Sequence, residues 1–371
     1  MRVTALLALF AASLPAQRRQ AEFVESDTCK LFELRSEVVS AFWGRPMSIK
    51  AGVVVPPDLR ADERLPVVYS IHGFGGSYKS AAIRERELLD GMKDGSRPRM
   101  LYVHLDANCS LGHHEFADSV NCGPWGTALV TEFVPALEKH FHAYGKPAGR
   151  FVTGHSSGGW SSLWLMVAHP DFFGGTWSTA PDPVDFRDFT GIDIYAFDNA
   201  FVDPAGAPIQ LMRRGGEWVS TIRQFVDREM QQGDHGGQFM SFNAVFSPRD
   251  EDGRPMRLFD VTTGAIDRDV AEAWRRFDIA ALLRRDWPTL GPKLRGKLHV
   301  FCGTQDTFRL EGACRLLRDT LTELGSDGEV VFAEGRNHGD LYQPQQELWP
   351  AGLLLRIHRE MFAAFERDRG K

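Results

Sequence analysis

Residues 154–160 read GHSSGGW, and within them Gly154, Ser156 and Gly158 fit the pattern G-x-S-x-G. The pattern lies between a short apolar run, "RFVTGH", and a helical one, "GGWSSLWLMVAHP". A serine in such a strand-to-helix turn takes a strained backbone position that projects its hydroxyl into a crevice. The hydroxyl is a weak nucleophile, so it needs a base, and the base needs an acid to orient it. Glycine-flanked serines also occur in plain turns, so the partners must decide. "FCGTQDTF" sets Asp306 just past one apolar run, and "EGRNHGD" sets His338 past the next. If the runs are parallel strands, both residues project from the same sheet edge as Ser156. The chemistry such a set supports is acyl transfer.

Rival residues are weaker on position. His299 falls inside an apolar run and His358 on a terminal helix, while His155 adjoins the serine in a turn that points neighbours apart. Asp340 is too close to His338 in sequence to orient it. Asp182, after the strand that follows the elbow, stays open as an alternative acid; Asp306 is preferred because it lies one strand before a suitable histidine. A tetrahedral oxyanion also needs two backbone N–H donors. Ser157 is expected to supply one. The glycine-rich "HGFGGS" (72–77) supplies the other, from Phe74 or alternatively Gly75. That loop lacks the Lys and Ser/Thr of a phosphate-binding loop.

His113, His114, Glu115 and Asp118 share one loop, but their spacing fits no defined zinc pattern. Asp182, Asp185, Asp188 and Asp193 lack the arrangement of a calcium loop and read as a solvated acidic stretch. No metal is expected. Trp125, Trp160, Trp218, Phe239, Phe242 and Trp274 are expected mostly in the core, with one or two lining an acyl pocket.

The elements that must position these residues follow an alternating pattern. "KAGVVVPPD", "LPVVYSIHGF", "RMLYVHLDA" and "RFVTGH" read as strands, and "GPWGTALVTEFVPALEKHF" as a helix with Leu129, Phe133, Leu137 and Phe141 on one face. "KLHVFCGTQD", "GACRLLRDTLTELG" and "EVVFAEGRNHGD" form a strand, helix, strand unit, and "AGLLLRIHREMFAAFER" an amphipathic closing helix. The fold class is therefore α/β, with a mostly parallel central sheet and helices on both faces. Residues 186–295 are irregular and too long for one crossover, so they are expected to form a cap-like insertion before the strand carrying the acid.

The whole chain has 371 residues, 43% of them hydrophobic, enough for one large catalytic domain over 22–371. A net charge of -6 and the lack of any long basic run argue against nucleic acid as a partner. The first sixteen residues, one Arg and an apolar stretch ending in small residues, have the layout of a secretory signal peptide and are too short to span a bilayer. A secreted or periplasmic protein can hold disulfides, and Cys109 with Cys122 and Cys302 with Cys314 are the pairs close in sequence, leaving Cys29. The alternative is that all five stay reduced.

In order, "IHGFGGS", "HHEFADSVNCGPWGTALVTEFVPALE", "GHSSGGW", "GTQDTF" and "NHGD" resemble the putative-esterase group of α/β-hydrolases, which includes esterase D, feruloyl and acetylxylan esterases, enterochelin esterases and mycolyltransferases. The resemblance spans roughly residues 45 to 185 and 296 to 365. It implies the α/β-hydrolase fold, a Ser156, Asp306, His338 triad and no required cofactor. The expected activity is that of a secreted serine esterase working through an acyl-enzyme on a small-molecule or carbohydrate ester, feruloyl or acetyl esters among them. Two alternatives stay open: an acyltransferase of the same fold, and a non-catalytic binding module on that scaffold.

Overall fold

A computed structural model describes residues 22–233 and 237–370. The expected signal peptide at 1–16 lies outside the described residues. Eight strands build one sheet: β1 (Cys29–Arg35), β2 (Ser48–Val54), β3 (Val67–Ile71), β4 (Leu101–Leu105), β5 (Arg150–Ser156), β6 (Gly175–Pro181), and, after a hairpin β7 (Gln210–Arg214) and β8 (Glu217–Thr221), β9 (Leu298–Gly303) and β10 (Glu329–Ala333). Their spatial order is β1-β2-β4-β3-β5-β6-β9-β10. β2 pairs antiparallel with β1 and β4, and every later pairing is parallel. The central strands are buried along nearly their whole length because helices cover both faces, which explains their continuous apolar runs.

Helix α1 (Glu37–Trp43) follows β1, and α2 (Ser80–Lys93) follows the glycine-rich loop. The predicted helix at 123–141 appears as α3 (Trp125–Ala128) and α4 (Val134–His140), joined by a π-turn over Leu129–Phe133. Pro135 at the start of α4 has no N–H to give, which fits the local change of register. α5 (Ser157–Ala168) leaves the elbow and is buried on almost every side, as its apolar composition requires.

Between β6 and β9 the chain adds the β7–β8 hairpin, α6 (Ile222–Met230), α7 (Gln238–Phe246), α8 (Arg268–Trp274) and α9 (Ile279–Leu294). Phe186, Phe189, Phe242, Phe246 and Trp274 form one aromatic cluster, which reaches Trp160 of α5 at 5.0 Å from Phe246. This cluster holds the segment against the sheet. Of the six aromatics singled out in the sequence, only Trp218 is exposed, at 43%. Helices α10 (Leu310–Glu323) and α11 (Leu353–Asp368) complete the layers. No described helix is long and apolar enough to cross a membrane.

The five cysteines carry free thiols, so the disulfides allowed by the sequence are not formed. Cys109 does lie near Cys122, as does Cys302 near Cys314. Cys122 donates to the Ala244 carbonyl at 3.4 Å and Cys302 to that of Gly303 at 3.7 Å. As packed thiols they fill space and make weak hydrogen bonds.

Candidate active site

Six parallel strands, β4, β3, β5, β6, β9 and β10, end at one edge of the sheet, and their loops carry the residues singled out above. Ser156 closes β5 with φ 60° and ψ -124°, a strained pair for a non-glycine residue. The glycines on either side explain how the turn is built. A Cβ on Gly158 would sit 2.0 Å from the Ile71 carbonyl oxygen, and one on Gly154 would sit 2.1 Å from that of Gly158. Strand and helix thus pass too close for any side chain. The next strand is also distorted: Ala180 has φ 38°, and the β5–β6 register shifts between Thr179 and Pro181.

Asp306 follows β9 and His338 follows β10, and the structure brings them together: His338 Nδ1 lies 2.7 Å from Asp306 Oδ2. Nδ1 donates to the carboxylate, so Nε2 carries the lone pair. Burial alone would raise Asp306 and lower His338. The pair overrides it in both directions: His338 and the Phe308 amide hold Asp306 below its usual range, while Asp306 and then Asp182 lift His338 above 6.5.

The "HGFGGS" loop passes directly over the elbow. A Cβ on Gly73 would meet the Ser156 Cβ at 3.1 Å, and Gly75 takes φ +77°, open to glycine but strained for other residues. Two histidines fix the loop. His72 Nε2 accepts the Ala107 N–H at 2.9 Å, which leaves Nδ1–H to donate to the Gly73 carbonyl at 2.7 Å. His113 Nε2 donates to the His72 carbonyl at 3.0 Å. Phe74 stands half exposed at the loop tip, and Ser157 opens α5, where the first helical amides have no partner within the helix.

A family model described as "Putative esterase" matches residues 44–221, the stretch that holds the oxyanion-type loop and the elbow. The chain is similar to this esterase family over that stretch, just under half of its length. It is a serine esterase with the α/β-hydrolase fold. Among solved structures, a ferulic acid esterase matches with a TM-score of 0.56 at 16% identity, over 91% of this chain and 99% of its own. The fluorophosphonate-binding serine hydrolase FphF of Staphylococcus aureus matches at 0.50 and 13%, over 91% and 98%. An S-formylglutathione hydrolase of Agrobacterium tumefaciens matches at 0.49 and 16%, over 91% and 95%. At these identities the likeness to the first two is one of fold. No curated protein matches the chain.

The esterase also carries an arrangement that the sequence did not announce. Among the described residues, the Ser156 hydroxyl donates to Asp182 Oδ1 at 3.2 Å and makes no hydrogen bond to His338. Asp182 Oδ2 accepts from Ser157 Oγ at 2.6 Å and from Gln238 Nε2 at 3.4 Å. Burial, and then the neighbouring Glu115, push the Asp182 carboxyl up to about 6. Asp182 is thus no orienting acid for His338; its oxygens are taken up by the serines.

Glu115 is buried with φ 56°, its Oε2 accepting from Ser161 at 2.7 Å. Burial pushes its carboxyl up to about 8, so near neutral pH it holds a proton. Its Oε1 lies 3.2 Å from His113 Nδ1, which already accepts the Glu115 N–H and whose Nε2 carries the ring proton. Burial also holds the His113 ring near 4, so the contact is not an ion pair. The single lone pair of Nδ1 is already taken by the Glu115 N–H, so Oε1 has no hydrogen-bond partner among the described residues. The sequence offered Glu115 and His113 only as a doubtful metal set; no metal-holding cluster forms among the described residues.

The long segment before β9 also reaches the site. Arg213 of β7 donates from Nε to the Asp306 carbonyl at 2.8 Å and from its backbone to Thr307 at 3.0 Å. Its guanidinium reaches the Thr304 carbonyl at 3.3 Å and pairs with Glu311. Neither Arg213 nor Gln238 lies in a recognisable motif, and only tertiary packing brings them here.

Proposed function

We propose that this serine esterase is an exported hydrolase of carboxylic esters that works through an acyl-enzyme on Ser156, with His338 as base and Asp306 as its orienting acid. The observation that carries the reading is the 2.7 Å Asp306–His338 hydrogen bond at the same sheet edge as a strained, glycine-flanked serine. With Nδ1–H held by Asp306, Nε2 is free to take a proton. The Ser156 hydroxyl turns from Asp182 to His338 as substrate enters. Oγ attacks the carbonyl carbon, its proton passes to Nε2, and the carbonyl electron pair moves onto oxygen. The Phe74 and Ser157 N–H groups stabilise that oxyanion. Collapse expels the alkoxide, which leaves as alcohol with the Nε2 proton. Water repeats the sequence, giving its proton to Nε2 and releasing the acid while Ser156 recovers its own.

The apolar run at 4–12 and the small residues that follow support export. Feruloyl and acetyl esters of carbohydrates are the substrates to screen first, since a ferulic acid esterase shares the fold. Ser156→Ala is expected to lower hydrolysis of 4-nitrophenyl acetate by about 10⁴-fold or more and to abolish labelling by a fluorophosphonate. A variant that kept full activity would remove Ser156 from the mechanism. Product analysis with added sugar alcohols separates hydrolysis from acyl transfer.

A further inference from the structure

Asp182 is 3% exposed, and Ser156 is the sole donor to its Oδ1 among the described residues. That donor vanishes during turnover. When Ser156 Oγ bonds to the acyl carbon, its proton has gone to His338 Nε2, and an ester oxygen has no hydrogen to give. Throughout the acyl-enzyme, Oδ1 is then a buried acceptor with no protein donor, next to an oxygen lone pair. Such an orphan is unfavourable unless another donor replaces the lost one. The leaving alcohol has departed by then and the hydrolytic water is needed at His338, so the donor that persists through the acyl-enzyme is one carried on the acyl group. Oδ1 lies 3.2 Å from Oγ, so a donor on the carbon next to the carbonyl comes within hydrogen-bond reach, roughly 2.7–3.2 Å.

The other oxygen cannot relieve the deficit. Oδ2 is held by Ser157 Oγ at 2.6 Å, and Gln238 reaches the same atom rather than Oδ1. Asp182 N–H bonds to the Ser156 carbonyl at 3.1 Å, which pins the carboxyl to the elbow itself.

We propose that Asp182 is a specificity-determining residue that selects acyl groups carrying a hydroxyl or ammonium donor on the carbon next to the ester carbonyl. The inference rests on the esterase reading and narrows it, away from plain acetyl groups and towards 2-hydroxyacyl and 2-aminoacyl esters. A carboxylate beside the reacting carbon also raises the energy of the oxyanion, and an ammonium between the two offsets that repulsion. An acyl group with a methyl at the same place leaves Oδ1 unpaired.

The test compares three esters of one alcohol, 4-nitrobenzyl propanoate, glycolate and glycinate, whose acyl groups differ only in a terminal CH3, OH or NH3⁺. The wild-type kcat/KM is expected to favour glycolate and glycinate over propanoate by at least about tenfold, after correction for their intrinsic reactivity towards hydroxide. Asp182→Leu is expected to erase both preferences, and Asp182→Asn to keep that for glycolate and lose that for glycinate. These ratios do not depend on the fraction of folded enzyme. Equal wild-type ratios, or ratios unchanged in both variants, overturn the inference and leave the esterase reading intact. Ser156→Ala retaining wild-type turnover of all three overturns both.

Discussion

Asp306 is gripped at both carboxylate oxygens: Oδ2 accepts from His338 Nδ1 at 2.7 Å, while Oδ1 accepts the Phe308 N–H at 2.8 Å. A carboxylate held this way cannot rotate, so the imidazole opposite it is fixed in tautomer and in plane. Asp306→Asn keeps the volume but sets an amide against Nδ1. If Nδ2 faces the ring, Nδ1 must accept and Nε2 carries the proton, the wrong state for a base. Steady-state kinetics on 4-nitrophenyl acetate should show kcat lowered by about 10³–10⁴-fold, with little change in thermal midpoint.

The pH profile of kcat/KM follows from the same pair. His338 accepts a proton only when neutral, and Asp306, with Asp182 behind it, lifts its pKa above the ordinary 6.5 despite burial. Activity is therefore expected to rise with pH along a limb whose midpoint lies above 6.5. In Asp306→Asn the residual activity should rise along a limb shifted to lower pH. A wild-type limb centred well below 6.5 would contradict the pairing.

The elbow makes a demand on stability. A Cβ at 158 would lie 2.0 Å from the Ile71 carbonyl oxygen, backbone against backbone, where no rotamer change gives relief. Gly158→Ala should destabilise the fold by roughly 3 kcal/mol or more, read as a lower urea midpoint, or fail to give soluble protein. A variant unfolding at the wild-type urea concentration would mean that the strand and helix are farther apart than described here.

The strands, the elbow, and the Asp306 and His338 loops were legible because each is local. An apolar run ends, and a chemically distinctive residue follows it. The sheet order was not read from the chain, nor was the π-turn before Pro135. Asp182 was legible as a carboxyl near the elbow but not as a partner of Ser156, because that contact depends on the distortion at Ala180 and Pro181. Glu115 was hidden by its company. Beside two histidines it suggests a metal, and only burial turns it into a neutral carboxyl. Arg213 and Gln238 come from a segment without motif, and their role depends on the aromatic cluster that docks it.

Glu115 should leave a mark on pH-dependent stability. Its folded pKa, about 8, stands above the usual 4.5, mainly through burial. The folded state therefore binds more protons than the unfolded state between those values. The contribution is full below about 4.5, falls as pH rises and is lost above about 8. Glu115→Gln keeps the size of the side chain and cannot ionise. The variant should lose part of the wild-type fall in thermal midpoint between pH 5 and pH 8.5, a gain on the order of 1–3 kcal/mol at the alkaline end. Identical slopes for the two proteins would mean that Glu115 is ionised throughout.

Arg213 separates positioning from packing. It touches no reacting atom in this structure, but its Nε holds the carbonyl of Asp306 and its guanidinium spans from Thr304 to Glu311. Arg213→Met keeps the aliphatic stem and removes every side-chain donor. It also leaves Glu311 a partly buried, unpaired carboxylate, a destabilising change unrelated to catalysis. The double variant Arg213→Met, Glu311→Gln removes that charge, so stability should recover while the Asp306 loop stays unanchored. If Arg213 positions the acid, the double variant should regain most of its thermal midpoint but keep a kcat about tenfold or more below wild type, with KM nearly unchanged. Recovery of kcat together with stability would show that the ion pair matters only for folding.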